Sequence, residues 1–169
     1  MPLILLIIKI YIKISNSKVY KLNMKILAIQ NRMGIGDTVI FLPFIKAISK
    51  KYNTPVSILV KKSSKAEQFL NQTNYIDKII FLERDNQKKE RHNGVFGSLR
   101  LANDLKKYNF EKVFIFNSSL RFNIIARLSG IKKIYQYPLF KKNKQHIINS
   151  ARDLIKKNLN TEIHNSPEI

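Results

Sequence analysis

The 169-residue chain contains no cysteine, which excludes a disulfide framework, thiolate zinc sites and a cysteine nucleophile. Its three histidines, His92, His146 and His164, lie far apart without metal-ligand spacing, so no metal centre is expected. Glycine and proline number only five each, and no low-complexity linker or internal repeat is present. Acidic residues are scarce too: 11 Asp plus Glu stand against 31 Lys plus Arg, a formal charge of +20. No apolar run approaches the roughly 20 residues that span a bilayer. The run from Pro2 to Ile8 has seven and is then broken by Lys9 and Lys13.

The length allows one domain of ordinary size with a real core, and 44% hydrophobic content argues against disorder despite the charge. Lysine (24), isoleucine (26) and asparagine (17) dominate, and all three have A/T-rich codons, so part of the basicity reflects codon usage. The lysines are spread along the chain as a solvated surface would have them, and form no single block. A second reading of the charge is a basic binding module for nucleic acid or an anionic membrane face, with Phe122, Tyr135 and Tyr137 near lysines. No RRM, helix-turn-helix or KH pattern accompanies it, so nucleic acid is not the expected partner.

Residues 1–23 differ from everything that follows. A secretory signal carries its positive charges before the apolar run and a small-residue cleavage site after it; here the lysines follow and no such site is found. Two readings stand. The segment is a short interfacial anchor, with Ile and Leu at the acyl boundary and lysines on phosphates. Alternatively, the protein starts at Met24, where MKILAIQ reads as a first core strand, and residues 1–23 are a non-native upstream extension. The second is preferred, because an opening strand is so common in α/β folds.

From Met24 onward short apolar runs alternate with helical stretches. Strands are expected at Ile26–Ile29, Pro55–Val60, Asp77–Leu82, Lys112–Phe116 and Ile131–Tyr135. Helices are expected from Asp37 through Ile48, with Pro43 in the first two turns, and from Ser64 to Asn71, with Ser64 and Glu67 as a capping box. Further helices run from Phe96 to Tyr108, with Leu99, Leu101, Ala102 and Leu105 inward, from Ser119 to Leu128, closed by a left-handed Gly130, and from Gln145 to Leu159. The polar stretch Glu83–Asn93 reads as an exposed loop. This alternation specifies a parallel sheet with helices on both faces, a Rossmann-like α/β fold. Ligands of such sheets sit outside the carboxyl ends of the strands, which directs attention to the loops after the first, second and fourth.

Gly34-Ile35-Gly36-Asp37 fills the first of those loops. Position 39 is Val39, where a dinucleotide fingerprint needs glycine, and no Gly-Lys-Ser/Thr phosphate loop is present. Two readings remain open. In one, this is a tight turn whose glycines allow positive φ, with Asp37 as N-cap. In the other, Asp37 is a carboxylate at the sheet's carboxyl edge, favoured there by the helix amino terminus and able to act as a general base.

The run KILAIQNRMGIGDTVIFLPFIKAISKKY resembles the opening of the glycosyltransferase family 9 heptosyltransferases: a strand, a loop ending in Gly-Asp, and a helix with an embedded Pro. The resemblance continues through PVSILVKKSSKAEQFLNQTNYIDKIIFL, through NFEKVFIFNSSLRFNIIARLSGIKKIYQY, and through the helix His146 to Leu159. It implies two facing Rossmann-like domains of the GT-B type, this chain supplying the amino-terminal, acceptor-side domain at 24–160. It also implies metal-independent transfer of a sugar, typically heptose from ADP-heptose, to the lipopolysaccharide inner core, with Asp37 as the base. Residues 161–169 then fall where a carboxyl-terminal, donor-binding domain would begin, so the chain is expected to be truncated, split or half of a pair, and inactive alone. It is also expected to bind no cofactor of its own.

The implied acceptor carries phosphates and carboxylates, and the residues expected to meet it are Arg32, Gly34, Gly36, Lys61, Lys62, Arg100, Ser118 and Arg121. Arg121 leads these, because it stands beside the Ser118-Ser119 helix start, which attracts anions. The implied partners are a lipopolysaccharide core or related glycan, a second-half chain and the inner-membrane face; the implied location is cytoplasmic, peripheral to that membrane.

Overall fold

The computed structural model describes residues 24–32, 34–84, 90–139 and 146–161; expectations for residues 1–23 and for the tail beyond 161 lie outside them. Five strands form one parallel sheet: β1 (Ile26–Ile29), β2 (Val56–Lys61), β3 (Ile76–Leu82), β4 (Lys112–Ile115) and β5 (Lys133–Gln136). Their spatial order is β3-β2-β1-β4-β5. The chain thus builds outward on one side of β1 and then crosses to the other, placing the switch point between β1 and β4. Ile26 lies beside both Val56 and Lys112, and Ile29 beside both Leu59 and Ile115.

The connecting helices are α1 (Ile35–Tyr52), α2 (Glu67–Leu70), α3 (Gly94–Lys106), α4 (Leu120–Leu128) and α5 (Ile147–Leu159). Successive strand residues point to opposite faces, and the core divides accordingly. Ile26, Ala28, Ile58, Val60 and Phe114 join Phe41, Phe44 and Ile48 of α1 and Ala151, Ile155 and Leu159 of α5. Leu27, Ile29, Leu59, Val113 and Ile115 join Leu101 and Leu105 of α3 and Phe122 and Ile125 of α4. Because β1 is covered on both sides, its run Ile-Leu-Ala-Ile is apolar without alternation and fully buried.

Several boundaries move from their expected places. Helix α1 begins at Ile35, with Gly34 as N-cap, so Asp37 is its third residue and not the cap. The earlier start puts Pro43 in the third turn, where its missing N–H leaves the Val39 carbonyl without an intrahelical donor. The expected Ser64–Glu67 box does not form: Lys62–Ser64 is a 3-10 turn, α2 is a single turn, and the Ser64 hydroxyl donates to the Lys61 carbonyl. Leu99 faces solvent, since α3 turns Leu101, Ala102 and Leu105 to the sheet. Gly130 adopts the left-handed conformation anticipated after α4, with φ +81°. A glycine is also required at position 97: a Cβ there would lie 2.2 Å from the His92 backbone carbon, where α3 crosses the end of the preceding loop.

Candidate functional site

The carboxyl ends of β1 and β4 carry the loops at the switch point. Each ladder extends one residue past its strand: Gln30 N–H donates to the Leu59 carbonyl at 3.0 Å, and Phe116 N–H to the Ile29 carbonyl at 3.1 Å. These bonds hold the loop entry as firmly as the sheet itself. Gln30 is 2% exposed, and its side-chain carbonyl accepts the Arg32 N–H at 3.1 Å.

The loop then delivers Asp37. Its Oδ2 accepts the Gly34 N–H at 3.3 Å, while the Gly34 carbonyl accepts from both the N–H and the hydroxyl of Thr38. That reciprocal arrangement fixes the carboxylate on the first turn, where the helix amino terminus favours negative charge. The other oxygen, Oδ1, lies 3.9 Å from Arg32 Nη1, with both side chains partly open to solvent. An exposed pair at that distance contributes on the order of 1 kcal/mol or less, so it does not lock the carboxylate away. Neither Gly34 nor Gly36 has a positive φ: Gly34 is extended at −94°, and among the described residues only Gly94 and Gly130 are left-handed glycines. The expected positive-φ turn is therefore corrected. Open space surrounds a Cβ built on Gly36, and one built on Gly34 would come no nearer than 3.4 Å, to Asp37 Oδ2.

Across the switch point runs a chain of amides that sequence reading missed. Asn117 Nδ2 donates to Asn31 Oδ1 at 3.2 Å, tying the loop after β4 to the loop after β1. Gln136 Nε2 donates to the carbonyls of Asn117 and Ser119, and Gln136 Oε1 accepts from Asn123 Nδ2 at 2.8 Å. Their one sequence signal is position: Gln30 and Asn117 each follow an apolar strand run directly, and Gln136 ends one. Ser118 is exposed, and Ser119, the N-cap of α4, makes no side-chain cap; the Asn117 side chain accepts the Ser119 N–H instead.

Among the described residues, three buried polar atoms have no hydrogen-bond partner: Gln30 Nε2, Arg121 Nε and Tyr137 Oη. Burial pushes the Tyr137 hydroxyl well above its ordinary range, opposed by the positive charge of Arg32. Arg121 is tied down: Nη2 donates to the His92 carbonyl. Burial holds its pKa below the ordinary arginine value, and the neighbouring charge of Arg84, also overlooked in the sequence, lowers it further.

The remaining expected residues are dispersed. Lys61 ends β2 and Lys62 opens the following 3-10 turn, on the same sheet edge as Asp37. Arg100 does not lie at that edge. It stands well into α3 and lines a surface depression of about 450 Å³ with Arg91, Asn103, Asp104, Lys106 and Lys107. Of the proposed stacking aromatics, Phe122 is buried and Tyr135 stacks on Phe114 with ring centres 4.6 Å apart, while the Tyr137 ring meets Phe116 edge-on. Among the described residues no group of three His, Asp or Glu could hold a metal ion, and no helix is long and apolar enough to cross a membrane.

Strand order and helices on both faces define a doubly wound, Rossmann-type domain with a carboxylate at its switch point. The fold matches solved glycosyltransferases. The family 9 glycosyl transferase of Veillonella parvula matches 81% of this chain with a TM-score of 0.60 and 14% identity. The E. coli heptosyltransferase WaaC with ADP-2-deoxy-2-fluoro heptose matches 85% with a TM-score of 0.61, also at 14% identity. E. coli ADP-heptose lps heptosyltransferase II matches 67% with a TM-score of 0.52 and 14% identity. The chain spans 42%, 50% and 30% of those structures respectively. No family model and no curated protein sequence matches it.

Proposed function

We propose that this domain is the acceptor side of a family 9-type glycosyltransferase of the GT-B class, with Asp37 as the base. The observation that carries the reading is Asp37 itself, held on the first turn of α1 with one oxygen facing Arg32 and solvent, at the switch point of a sheet shared with heptosyltransferases. In this reading a hydroxyl of a lipopolysaccharide-core glycan approaches Asp37 Oδ1 and loses its proton to it. The hydroxyl oxygen forms the new bond to the anomeric carbon, inverting it, as the bond to the nucleotide diphosphate breaks. Arg32, Lys61 and Lys62 meet the acceptor's phosphates and carboxylates, and the paired charges of Arg121 and Arg84 favour an anion nearby. The nucleotide-sugar donor, ADP-heptose or similar, is assigned to a second domain of the kind that completes a GT-B enzyme.

The test is transfer from labelled ADP-heptose to heptose-free lipopolysaccharide, by the full chain alone and with a heptosyltransferase donor domain supplied, alongside titration of the same acceptor. Binding of the acceptor and a transfer rate that Asp37→Ala lowers by about 10²–10⁴-fold are expected. An undiminished rate in Asp37→Ala removes the base, and no acceptor binding removes the reading as a whole.

A further inference from the structure

Lysines that are scattered along the chain are gathered by the fold at one edge of the sheet. In a parallel sheet every strand enters from the same edge, and the crossover helices end there. Here the entries are tied in a row. Val56 N–H donates to the Tyr75 carbonyl at 2.9 Å, and the Thr54 hydroxyl to the Met24 carbonyl at 3.2 Å. Glu111 N–H donates to the Lys25 carbonyl at 2.9 Å, and Lys133 N–H to the Glu111 carbonyl at 3.2 Å. This amino edge is opposite the one that carries Asp37. Three helices end on it with exposed lysine pairs: Lys50-Lys51, Lys106-Lys107 and Lys156-Lys157.

The backbone dipole favours cations at helix ends, which accounts for lysines in the last turns. It does not account for the strand entries, because sheets have only small net dipoles. Lys25 precedes β1, Lys132 precedes β5, and Lys112 and Lys133 open β4 and β5; all but the half-buried Lys112 are exposed. The acids among these entries are Asp77, which accepts from the Ser57 hydroxyl, and Glu111. Burial and the neighbouring charge of Lys133 hold the Lys112 pKa below the ordinary lysine value, with Glu111 opposing them. Like charges held this close are relieved by an anion.

The surface chemistry narrows that anion. Large apolar side chains left in solvent among the described residues gather on α3 and α4 and at the start of α1; of them only Leu128 lies at this edge. A bilayer therefore finds little to take into its acyl boundary here. The rings are occupied: Lys112 Nζ lies 3.8 Å from the Tyr52 ring centre, and Lys78 Nζ 5.8 Å from that of Tyr108, which stacks on Phe110. They leave no open platform of the kind on which single-stranded bases stack. What remains is a row of cations about 20 Å long, set by the strand spacing and flanked by helix ends. A rigid line of phosphates matches it, and duplex DNA carries one negative charge per about 1.7 Å of axis.

We infer that the amino edge of the sheet binds the phosphate backbone of duplex nucleic acid, with Lys25, Lys51, Lys132 and Lys133 on phosphates and no bases read. Contacts of this kind are independent of sequence and sensitive to salt. The inference uses the edge opposite Asp37 and does not depend on the transferase reading.

The full chain is titrated into a fluorescein-labelled DNA duplex of about 20 base pairs, between about 50 and 200 mM salt, with anisotropy as the readout. Lys25→Gln/Lys51→Gln/Lys133→Gln is expected to bind at least about tenfold more weakly. It should also flatten the slope of log affinity against log salt by about 2–3, one phosphate contact for each lysine lost. Arginine at the same three positions should preserve both affinity and slope. Lys46→Gln/Lys65→Gln/Arg100→Gln removes the same charge from exposed positions elsewhere and should weaken binding by less than about threefold. Equal losses in the two glutamine triples overturn the inference, because attachment then comes from net charge or from residues 1–23. So does an absence of binding at the lower salt, or an equal affinity for the separated strand. Equal displacement by polyglutamate overturns it in favour of an acidic polypeptide, and tighter binding to phosphatidylglycerol vesicles, lost in the Lys25/Lys51/Lys133 variant, in favour of a lipid surface. The duplex holds no glycan acceptor, so each of these failures leaves the proposed transfer chemistry standing.

Discussion

The two faces of the sheet are built from similar residues and finished differently. On the α1/α5 face four phenylalanines and a ladder of isoleucines fill the space: Phe41 lies 5.0 Å from Phe116 and 6.3 Å from Phe44, ring centre to ring centre, and Phe114 stacks on Tyr135. Its helices turn their apolar side chains inward and leave almost none in water. On the α3/α4 face aliphatic side chains pack beneath the helices, while a second apolar set points outward. Polar ties do more of the holding there. His92, 3% exposed, joins three elements: its Nδ1 accepts the Glu83 N–H, its Nε2 lies 3.4 Å from Asp104, and its carbonyl accepts from Arg121. One face is closed by hydrophobic packing; the other is pinned by a few polar contacts and keeps an apolar surface for something else.

The largest effect belongs to the packed face. Phe114→Ala, which empties a fully buried site between α1 and β5, is expected to cost about 3–5 kcal/mol in urea unfolding. A cost below 1 kcal/mol would mean that the aromatic packing is not what closes this face. Next comes Gly97→Ala on the other face, expected to cost about 1–3 kcal/mol because the new Cβ meets backbone atoms that cannot swing aside. A stabilised variant would show the α3 crossing to be looser than its geometry.

Acid should then act on the pinned face first. Burial pushes the Asp104 carboxyl up, but hydrogen bonds from Arg91, Lys107 and His92 outweigh it and hold the pKa below the usual carboxylate range. A depressed folded-state pKa contributes stability that is present above the unfolded carboxylate value, about 3.9, and lost as pH falls through the folded one. Amide exchange in α3 should therefore accelerate below about pH 4, and Asp104→Asn should flatten that dependence; an unaltered profile would remove Asp104 from the account. Smallest of all, Leu128→Ser should change stability by no more than about 0.5 kcal/mol, since its side chain is half in water. A larger loss would show that the outward stripe serves folding and is not a spare surface.

Much of the fold was legible. Runs such as Ile26–Ile29, which is β1, and 113–115 within β4 are apolar without alternation because both sides are covered, and such runs announce buried parallel strands. Helix ends were less so. Asp37 read as a cap and proved to be the third residue of α1: Gly34, the residue directly before the helix, is the N-cap and donates its N–H to the Asp37 carboxylate. Within the candidate site, Asp37 and Arg32 were each legible as charged residues of the first strand-to-helix junction; that they face each other at 3.9 Å was not. The amides were not: Asn31 and Asn117 meet across 86 residues, and neither has a distinctive neighbourhood in the chain. Arg121 was expected to meet an anion beside its helix start, and the structure shows its guanidinium bonded to the carbonyl of His92, 29 residues away.

By itself the sequence determined the alternation of strand and helix, the doubly wound class, and the presence of a carboxylate at the first strand-to-helix junction, because periodicity and local turn chemistry act over a few residues. Only the tertiary structure decided which loops meet at the switch point, that Arg100 stands apart from Asp37, that Gly97 must be glycine, and that the outward residues of α3 and α4 form one basic-rimmed apolar face. Those outcomes depend on strand order and helix docking, in which residues tens of positions apart are brought together by burial, and no local pattern encodes such pairings.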